Sequence, residues 1–90
     1  MKIKLSDETL FRDLDGETVL LNLSSGQYYT LNITGSFILQ CLLQMKTTED
    51  VIPALLEEFD TQYEQAAADV NRLVRELMDA GLCEEIGETT

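Results

Sequence analysis

The stretch Asp15-Gly16-Glu17-Thr18-Val19-Leu20-Leu21-Asn22-Leu23-Ser24-Ser25-Gly26-Gln27-Tyr28-Tyr29-Thr30-Leu31-Asn32 decides the fold of this 90-residue chain. Asp15-Gly16 is a two-residue hairpin signal, because both positions tolerate positive φ. The spacing predicts a first strand over Thr9–Leu14 before it and a second over Glu17–Leu23 after it. In the second strand Val19, Leu21 and Leu23 share one face, and Thr18, Leu20 and Asn22 the other. Ser24-Ser25-Gly26 is the next turn, with glycine placed for a left-handed residue. Gln27–Leu31 is the third strand and is rich in β-formers. Tyr29 and Leu31 lie on one of its faces, Tyr28 and Thr30 on the other. Two tight turns make a β-meander in the order 1-2-3, so its first and third strands are edges.

Working outward, Asn32 has the chemistry of a helix N-cap. Ile33, Phe37, Ile38, Cys41, Leu42 and Met45 follow at helical spacing, and the helix should end near Met45-Lys46. Thr47 and Thr48 offer the next cap, ahead of a stripe of Val51, Ile52, Leu55, Leu56 and Phe59. Pro53 either removes one backbone bond from this helix or marks a later start. Thr61-Gln62-Tyr63-Glu64 matches the capping box S/T-x-x-E. A third helix then places Tyr63, Ala66, Ala67, Val70, Leu73, Val74, Leu77 and Met78 on one face. Gly81 is placed to end it as a C′ residue with Leu82 in the accompanying apolar contact, and Cys83–Ile86 is a short extension that packs back. A meander is marginal alone, and the helices supply its second layer. The expected fold is α+β: a three-stranded antiparallel β-meander followed by three helices, winged helix-turn-helix-like, in a single domain over 1–90 with 1–8 and 87–90 flexible.

Composition excludes several functions. The formal net charge is −11 and histidine and tryptophan are absent. Residues 1–45 carry −2 of that charge and residues 46–90 carry −9. Phosphate contacts need clustered lysine and arginine, so nucleic acid is not an expected partner. The acidity fits either a basic partner or a solvated acidic face. Without imidazole there is no Ser-His or Cys-His pair and no histidine metal ligand. Cys41 and Cys83 have no metal-ligand spacing and read as small buried hydrophobes, with a disulfide or a reactive thiol as the alternatives. No segment reads as a signal peptide or a membrane span, and cytoplasmic localisation is expected. The carboxylates sit on helix starts and outer faces, with no pair across an apolar cleft and no calcium-loop spacing. No catalytic residue, metal site or cofactor is expected, and the chain does not read as an enzyme.

The edge strand Gln27–Leu31 carries no proline, lysine or internal charge, the usual devices that blunt an edge. It can take a peptide by strand addition, or pair with its twin in a dimer. Alternatively its tyrosines are core or rim residues and the N-terminal segment hides it. A winged-helix DNA-binding regulator is a competing reading. It asks for a basic recognition helix, whereas residues 62–80 hold Glu64, Asp69, Glu76 and Asp79 against Arg72 and Arg75. A third is a regulatory subunit that only docks onto an enzyme.

Gly26-Gln27-Tyr28-Tyr29-Thr30-Leu31-Asn32-Ile33-Thr34-Gly35, followed by Phe37-Ile38 and Leu42, resembles the signature of the PqqD family of peptide-chaperone domains, or RiPP recognition elements. The resemblance continues through Val51 to Phe59-Asp60 and Ala68-Asp69-Val70-Asn71-Arg72-Leu73 to Leu77, Gly81 and Leu82. It implies a protein that binds the N-terminal leader of a ribosomally made precursor and presents it to a separate maturation enzyme. That enzyme is a leader-cleaving cysteine peptidase in lasso-peptide biosynthesis, or a radical SAM enzyme in pyrroloquinoline quinone synthesis. Val19-Leu20-Leu21-Asn22 and Ala66-Ala67-Ala68-Asp69-Val70 look closer to the lasso branch, although Tyr29 stands where those proteins often carry tryptophan. The resemblance further implies that the leader pairs, antiparallel, with the backbone of Gln27, Tyr28, Tyr29, Thr30 and Leu31. From the third helix it implies groove contacts by Asp69, Arg72, Leu73 and Glu76.

Overall fold

The computed structural model describes residues 1–44 and 47–87. The elements run β1 (Ile3–Leu5), β2 (Thr9–Leu14), β3 (Glu17–Asn22), β4 (Tyr28–Leu31), α1 (Ile33–Leu43), α2 (Thr48–Glu58), α3 (Tyr63–Asp79) and β5 (Cys83–Glu85). The fold is α+β, with an antiparallel sheet in the order β2-β3-β4 followed by the helices. Asp15 (φ 53°) and Gly16 (φ 88°) make the first turn, and Gly26 (φ 76°) serves the second. These are the left-handed positions that hairpins of this kind require.

Register assigns the two sheet faces. Phe11 lies opposite Leu20 and Leu20 opposite Tyr29, while Thr18 lies opposite both Asp13 and Leu31. These rows face the helices. Leu20 is fully buried and Leu31 nearly so, against Ile38, Leu39 and Leu42 of α1, Val51 and Leu55 of α2, and Val70 and Leu77 of α3. The one polar side chain of β3 that is fully buried, Thr18, donates its hydroxyl to Asp13 Oδ1 at 2.8 Å. Phe37 and Phe59 close the far end edge-to-face, with ring centroids 5.4 Å apart.

Helix ends follow their local chemistry, with one exception. Asn32 accepts from the Gly35 N–H at 2.9 Å. Thr47 and Asp50 form a reciprocal capping box at the start of α2. Pro53 therefore lies inside that helix, where it removes the bond to the Glu49 carbonyl on an exposed face. Gly81 (φ 73°) ends α3: its N–H donates to Met78 C=O and the Leu82 N–H to Leu77 C=O. That paired 5→2 and 6→1 pattern is a Schellman cap, and buried Leu82 provides its apolar contact. The exception is the capping box expected at Thr61. The Thr61 N–H turns back to Phe59 C=O, and α3 begins one residue later on Gln62, whose side chain makes no cap bond. Two residues expected on apolar stripes, Ile33 and Tyr63, are exposed, because each sits in a first turn that precedes contact with the core. The expected end of α1 at Met45-Lys46 lies outside the described residues, as do residues 88–90.

Within the N-terminal eight residues, expected to be flexible, Ile3–Leu5 forms a strand. β1 pairs antiparallel with β5 as a second, two-stranded sheet, with Ile3 opposite Glu85 and Leu5 opposite Cys83. Ile3 is fully buried, and Lys4 Nζ stands 3.4 Å from Glu84 Oε1. The reason is topological: the Schellman cap turns the chain back at Gly81, and the returning segment provides a partner that no local pattern announces. Cys83–Ile86 packs back as expected, and both cysteines are buried. Burial pushes the Cys83 thiol up to about 11, so at neutral pH it is a thiol and not a nucleophilic thiolate.

Ile3→Ala tests this second sheet. It should cost about 3 kcal/mol in urea unfolding, the usual range for truncating a buried isoleucine. A flexible segment would give no change.

Candidate functional site

The site is built on the free edge of β4. Asn22 N–H donates to Gln27 C=O at 3.0 Å across the second turn. Bonded and non-bonded pairs alternate along an antiparallel ladder. The register then makes Leu20–Tyr29 and Thr18–Leu31 bonded pairs, and leaves Leu21–Tyr28 and Val19–Thr30 non-bonded. The N–H and C=O groups of Tyr28 and Thr30 therefore point away from β3. Among the described residues no strand pairs with that side of β4. The N-terminal segment, which could have hidden it, is committed to β5 instead.

An open groove of about 280 Å³ runs between this edge and α3. Tyr29, Thr30 and Leu31 line it from the strand, and Asp69, Arg72, Leu73 and Glu76 from the helix. All four expected helix residues are thus brought to one place. Their spacing of three to four residues puts them on a single helix face. Leu73 is nearly buried and, with Leu31 and Ile38, makes the apolar floor. Val70 and Val74 are buried as plain core. Gln27 and Tyr28 do not line the groove. Gln27 is exposed at the turn, and the Tyr28 side chain is on the opposite sheet face with 73% of its surface exposed.

The rim is polar and partly self-paired. The Tyr29 hydroxyl donates to Glu76 Oε2, spanning the groove from strand to helix. Arg72 stands 3.6 Å from Asp69 and 3.9 Å from Glu76, and Gln65 donates to Asp69 Oδ1 at 2.9 Å. Arg72 is the most exposed member and its two ion pairs are long, so they hold it weakly. The hydrogen bond to Glu76, then burial and the nearby carboxylate charge, hold the Tyr29 phenol above its ordinary value of 10.0.

Sequence reasoning passed over Asn32, Thr34, Gly35 and Ile38, which also line the groove. The strand enters α1 through one residue, so the first turn of the helix becomes the end wall. Gly35 could have signalled this. A Cβ there would come within 3.3 Å of Leu31 Cβ, tighter than most side-chain contacts. At the other end α3 is anchored to the sheet. Asn22 Nδ2 donates to the C=O of the C-cap residue Ala80 at 3.0 Å, and Ser6 Oγ to the C=O of Gly81 just beyond it at 2.7 Å. These bonds tie the C-terminal end of α3 to the end of β3 and to the β1–β2 connection.

A family model described as coenzyme PQQ synthesis protein D (PqqD) matches residues 17–82. No curated protein sequence matches the chain. Two solved structures are similar throughout. One is TbiB1 in complex with the TbiA(beta) leader peptide, at 30% identity, TM-score 0.84, covering 98% of this chain and 100% of that one. The other is lasso peptide synthetase B1 complexed with the leader peptide, also at 30% identity, TM-score 0.87, covering 94% of this chain and 100% of that one.

The Tyr29–Glu76 bond has a pH signature. A raised phenol pKa means that the folded state holds this proton more tightly than the unfolded chain does. Its contribution is present below pH 10 and disappears as pH rises through the folded-state value. In an absorbance titration, Glu76→Ala should bring the Tyr29 ionisation back down toward 10.0. An unchanged profile would show that the bond does not form in solution.

Proposed function

This chain belongs to the PqqD family, and on that footing we propose that it binds the leader of a ribosomally made precursor peptide and presents it to a separate maturation enzyme. The observation that carries this reading is the pair of outward-facing backbone positions, Tyr28 and Thr30, on an unpaired edge beside the groove. The leader adds as a fourth strand, antiparallel to β4, and its alternate side chains enter the groove against α3.

Magnitudes divide the work. The N–H and C=O of Tyr28 and Thr30 offer four main-chain bonds, worth about 4 kcal/mol together at ~1 kcal/mol net each. Micromolar binding needs about 8 kcal/mol, before the cost of ordering a flexible peptide. The remainder comes from apolar side chains buried on Leu31, Ile38 and Leu73. Asp69, Arg72 and Glu76 select at the rim, where a charged leader side chain can replace the long ion pairs Arg72 now makes. Tyr29 walls one side of the groove. Gln27 acts through its backbone by holding the turn in register, its C=O accepting from Asn22.

In this role the chain performs no bond-breaking chemistry of its own and needs no cofactor. The lasso branch fits best, with a leader-cleaving cysteine peptidase as the enzyme. Among the described residues no helix is long and apolar enough to cross a membrane. The reading places the chain in the cytoplasm, where precursors are synthesised.

Thr30→Pro removes an outward N–H without touching the bonds to β3. Measured by fluorescence anisotropy with a labelled synthetic leader peptide of the cognate precursor, affinity should fall at least about tenfold, the equivalent of roughly one such bond plus the lost strand geometry. Unchanged affinity in a folded variant would remove strand addition at this edge.

A further inference from the structure

The polar rim of the groove is a continuous chain of contacts whose members are unequally occupied. Along α3, Gln65 donates to Asp69 Oδ1 at 2.9 Å, and Arg72 Nη2 stands 3.6 Å from the same oxygen. Arg72 Nε stands 3.9 Å from Glu76 Oε1. From the strand, the Tyr29 hydroxyl donates to Glu76 Oε2. Asp69 is the more enclosed carboxylate, with 24% of its side chain exposed, and it already serves two partners. Glu76 is 45% exposed. Its Oε1 accepts no hydrogen bond among the described residues, since 3.9 Å to Arg72 is beyond hydrogen-bond reach. One carboxylate oxygen at the groove is therefore open, and it sits beside the tip of Tyr29.

Resting on the leader-binding reading above, we infer that Glu76 selects a leader that carries lysine or arginine at the position opposite Tyr29. Residues directly opposite each other in an antiparallel pair share a sheet face and lie side by side. The leader residue opposite Tyr29 therefore projects inward beside the tyrosine ring. Lysine and arginine are as long as tyrosine, so a cationic head placed there arrives beside the phenol hydroxyl, where Glu76 Oε1 is open. The methylene stem covers the Tyr29 ring and Leu73, as long cationic side chains do on apolar surface. The other inward position, opposite Leu31, differs. It meets Leu31, Ile38 and Leu73, all buried and apolar, and a charge there would be desolvated without a partner. An antiparallel leader passes Leu31 before Tyr29. Read from its N-terminal side, the selected pattern is an apolar residue, any residue, then lysine or arginine.

Charge decides the sign. The α3 wall of the groove holds two carboxylates, Asp69 and Glu76, and one guanidinium, Arg72. Arg72 lies one helical turn from each carboxylate, so its field is cancelled at the rim. A leader carboxylate approaching Arg72 meets a net −1 there and, behind it, the −9 of residues 46–90. A leader cation meets the opposite. It completes Glu76, while Arg72, 69% exposed and held by two long contacts, shifts toward Asp69 and solvent and leaves no ion unpaired. The Tyr29 hydroxyl keeps its bond to Oε2, so the leader adds a contact and breaks no hydrogen bond. Electrostatic complementarity of this kind separates one leader from another more than it raises affinity as such.

The test scans the leader for charge. Labelled synthetic leaders of the cognate precursor, each with one residue replaced by lysine or by glutamate, are measured by fluorescence anisotropy against the parent chain, Glu76→Gln and Glu76→Lys. At one leader position the lysine peptide should bind the parent at least about tenfold tighter than the glutamate peptide, attraction of one sign adding to repulsion of the other. Glu76→Gln keeps an acceptor for the Tyr29 hydroxyl and loses only the charge. It should reduce the preference at that position to within about threefold, and Glu76→Lys should invert it. Positions farther along the leader should keep their parent ratios within about twofold, because solvent and salt screen them from Glu76. If Glu76→Lys does not fold, Glu76→Gln alone decides. A parent that prefers lysine at no position overturns the assignment, as does a preference that Glu76→Gln leaves unchanged. A preference spread evenly over all positions overturns it too, in favour of the general acidity of the chain. Failure of the unmodified leader to bind the parent defeats the leader-binding reading itself, a separate outcome.

Discussion

One residue, Asn32, joins the edge strand to the first helix, and the groove depends on that joint. Its backbone is still extended (ψ −176°) while its side chain accepts from Gly35 N–H and its carbonyl from Ser36 N–H. The strand cannot drift from the helix, because Leu31 is buried on one side of the joint and Ile38 on the other. Gly35 lets the first turn sit close against Leu31. The edge of β4 is thereby held at the mouth of a groove whose opposite wall, α3, is fixed separately through Asn22 and Ser6. A preorganised edge of this kind spares a binding peptide the cost of ordering its receptor.

The sheet has a buried inner face, an exposed outer face and an unpaired edge at β4 among the described residues. Its inner rows make the core through Leu20 and Leu31. Its free edge offers the main-chain groups of Tyr28 and Thr30. Its outer rows stay apolar in a strongly acidic protein. Of the −11 charge, −9 lies in residues 46–90, outside the three-stranded sheet. The free edge itself carries no charged residue, and the charged side chains nearest to it are the rim residues Asp69, Arg72 and Glu76.

Tyr29 and Tyr28 show how two adjacent identical residues come to do different work. Tyr29 turns inward and spans the groove to Glu76, while Tyr28 turns outward and joins the row of Leu10 and Leu21. Strand alternation separates the two side chains. Ladder alternation separates their backbones in the opposite sense, since Tyr28 offers its N–H and C=O to the free edge and Tyr29 gives them to β3.

Much of this was legible in the sequence because it is written in local chemistry. Asp15-Gly16 and Gly26 carry the turns, Asn32 and Thr47 the caps, and Gly81 the end of α3; the resemblance to the PqqD family, not local chemistry, singled out Asp69, Arg72, Leu73 and Glu76, which line one groove. The Thr61 capping box was misread because a backbone bond to Phe59 moves the helix start by one residue. What only the tertiary structure decided are relations between distant segments: the pairing of β1 with β5, the anchoring of the α3 terminus by Asn22 and Ser6, and the inclusion of Asn32, Thr34, Gly35 and Ile38 in the groove. It also decided which backbone groups of Gln27–Leu31 are available. That depends on hydrogen-bond phase, which is set by the register against β3 and has no signature in side-chain pattern.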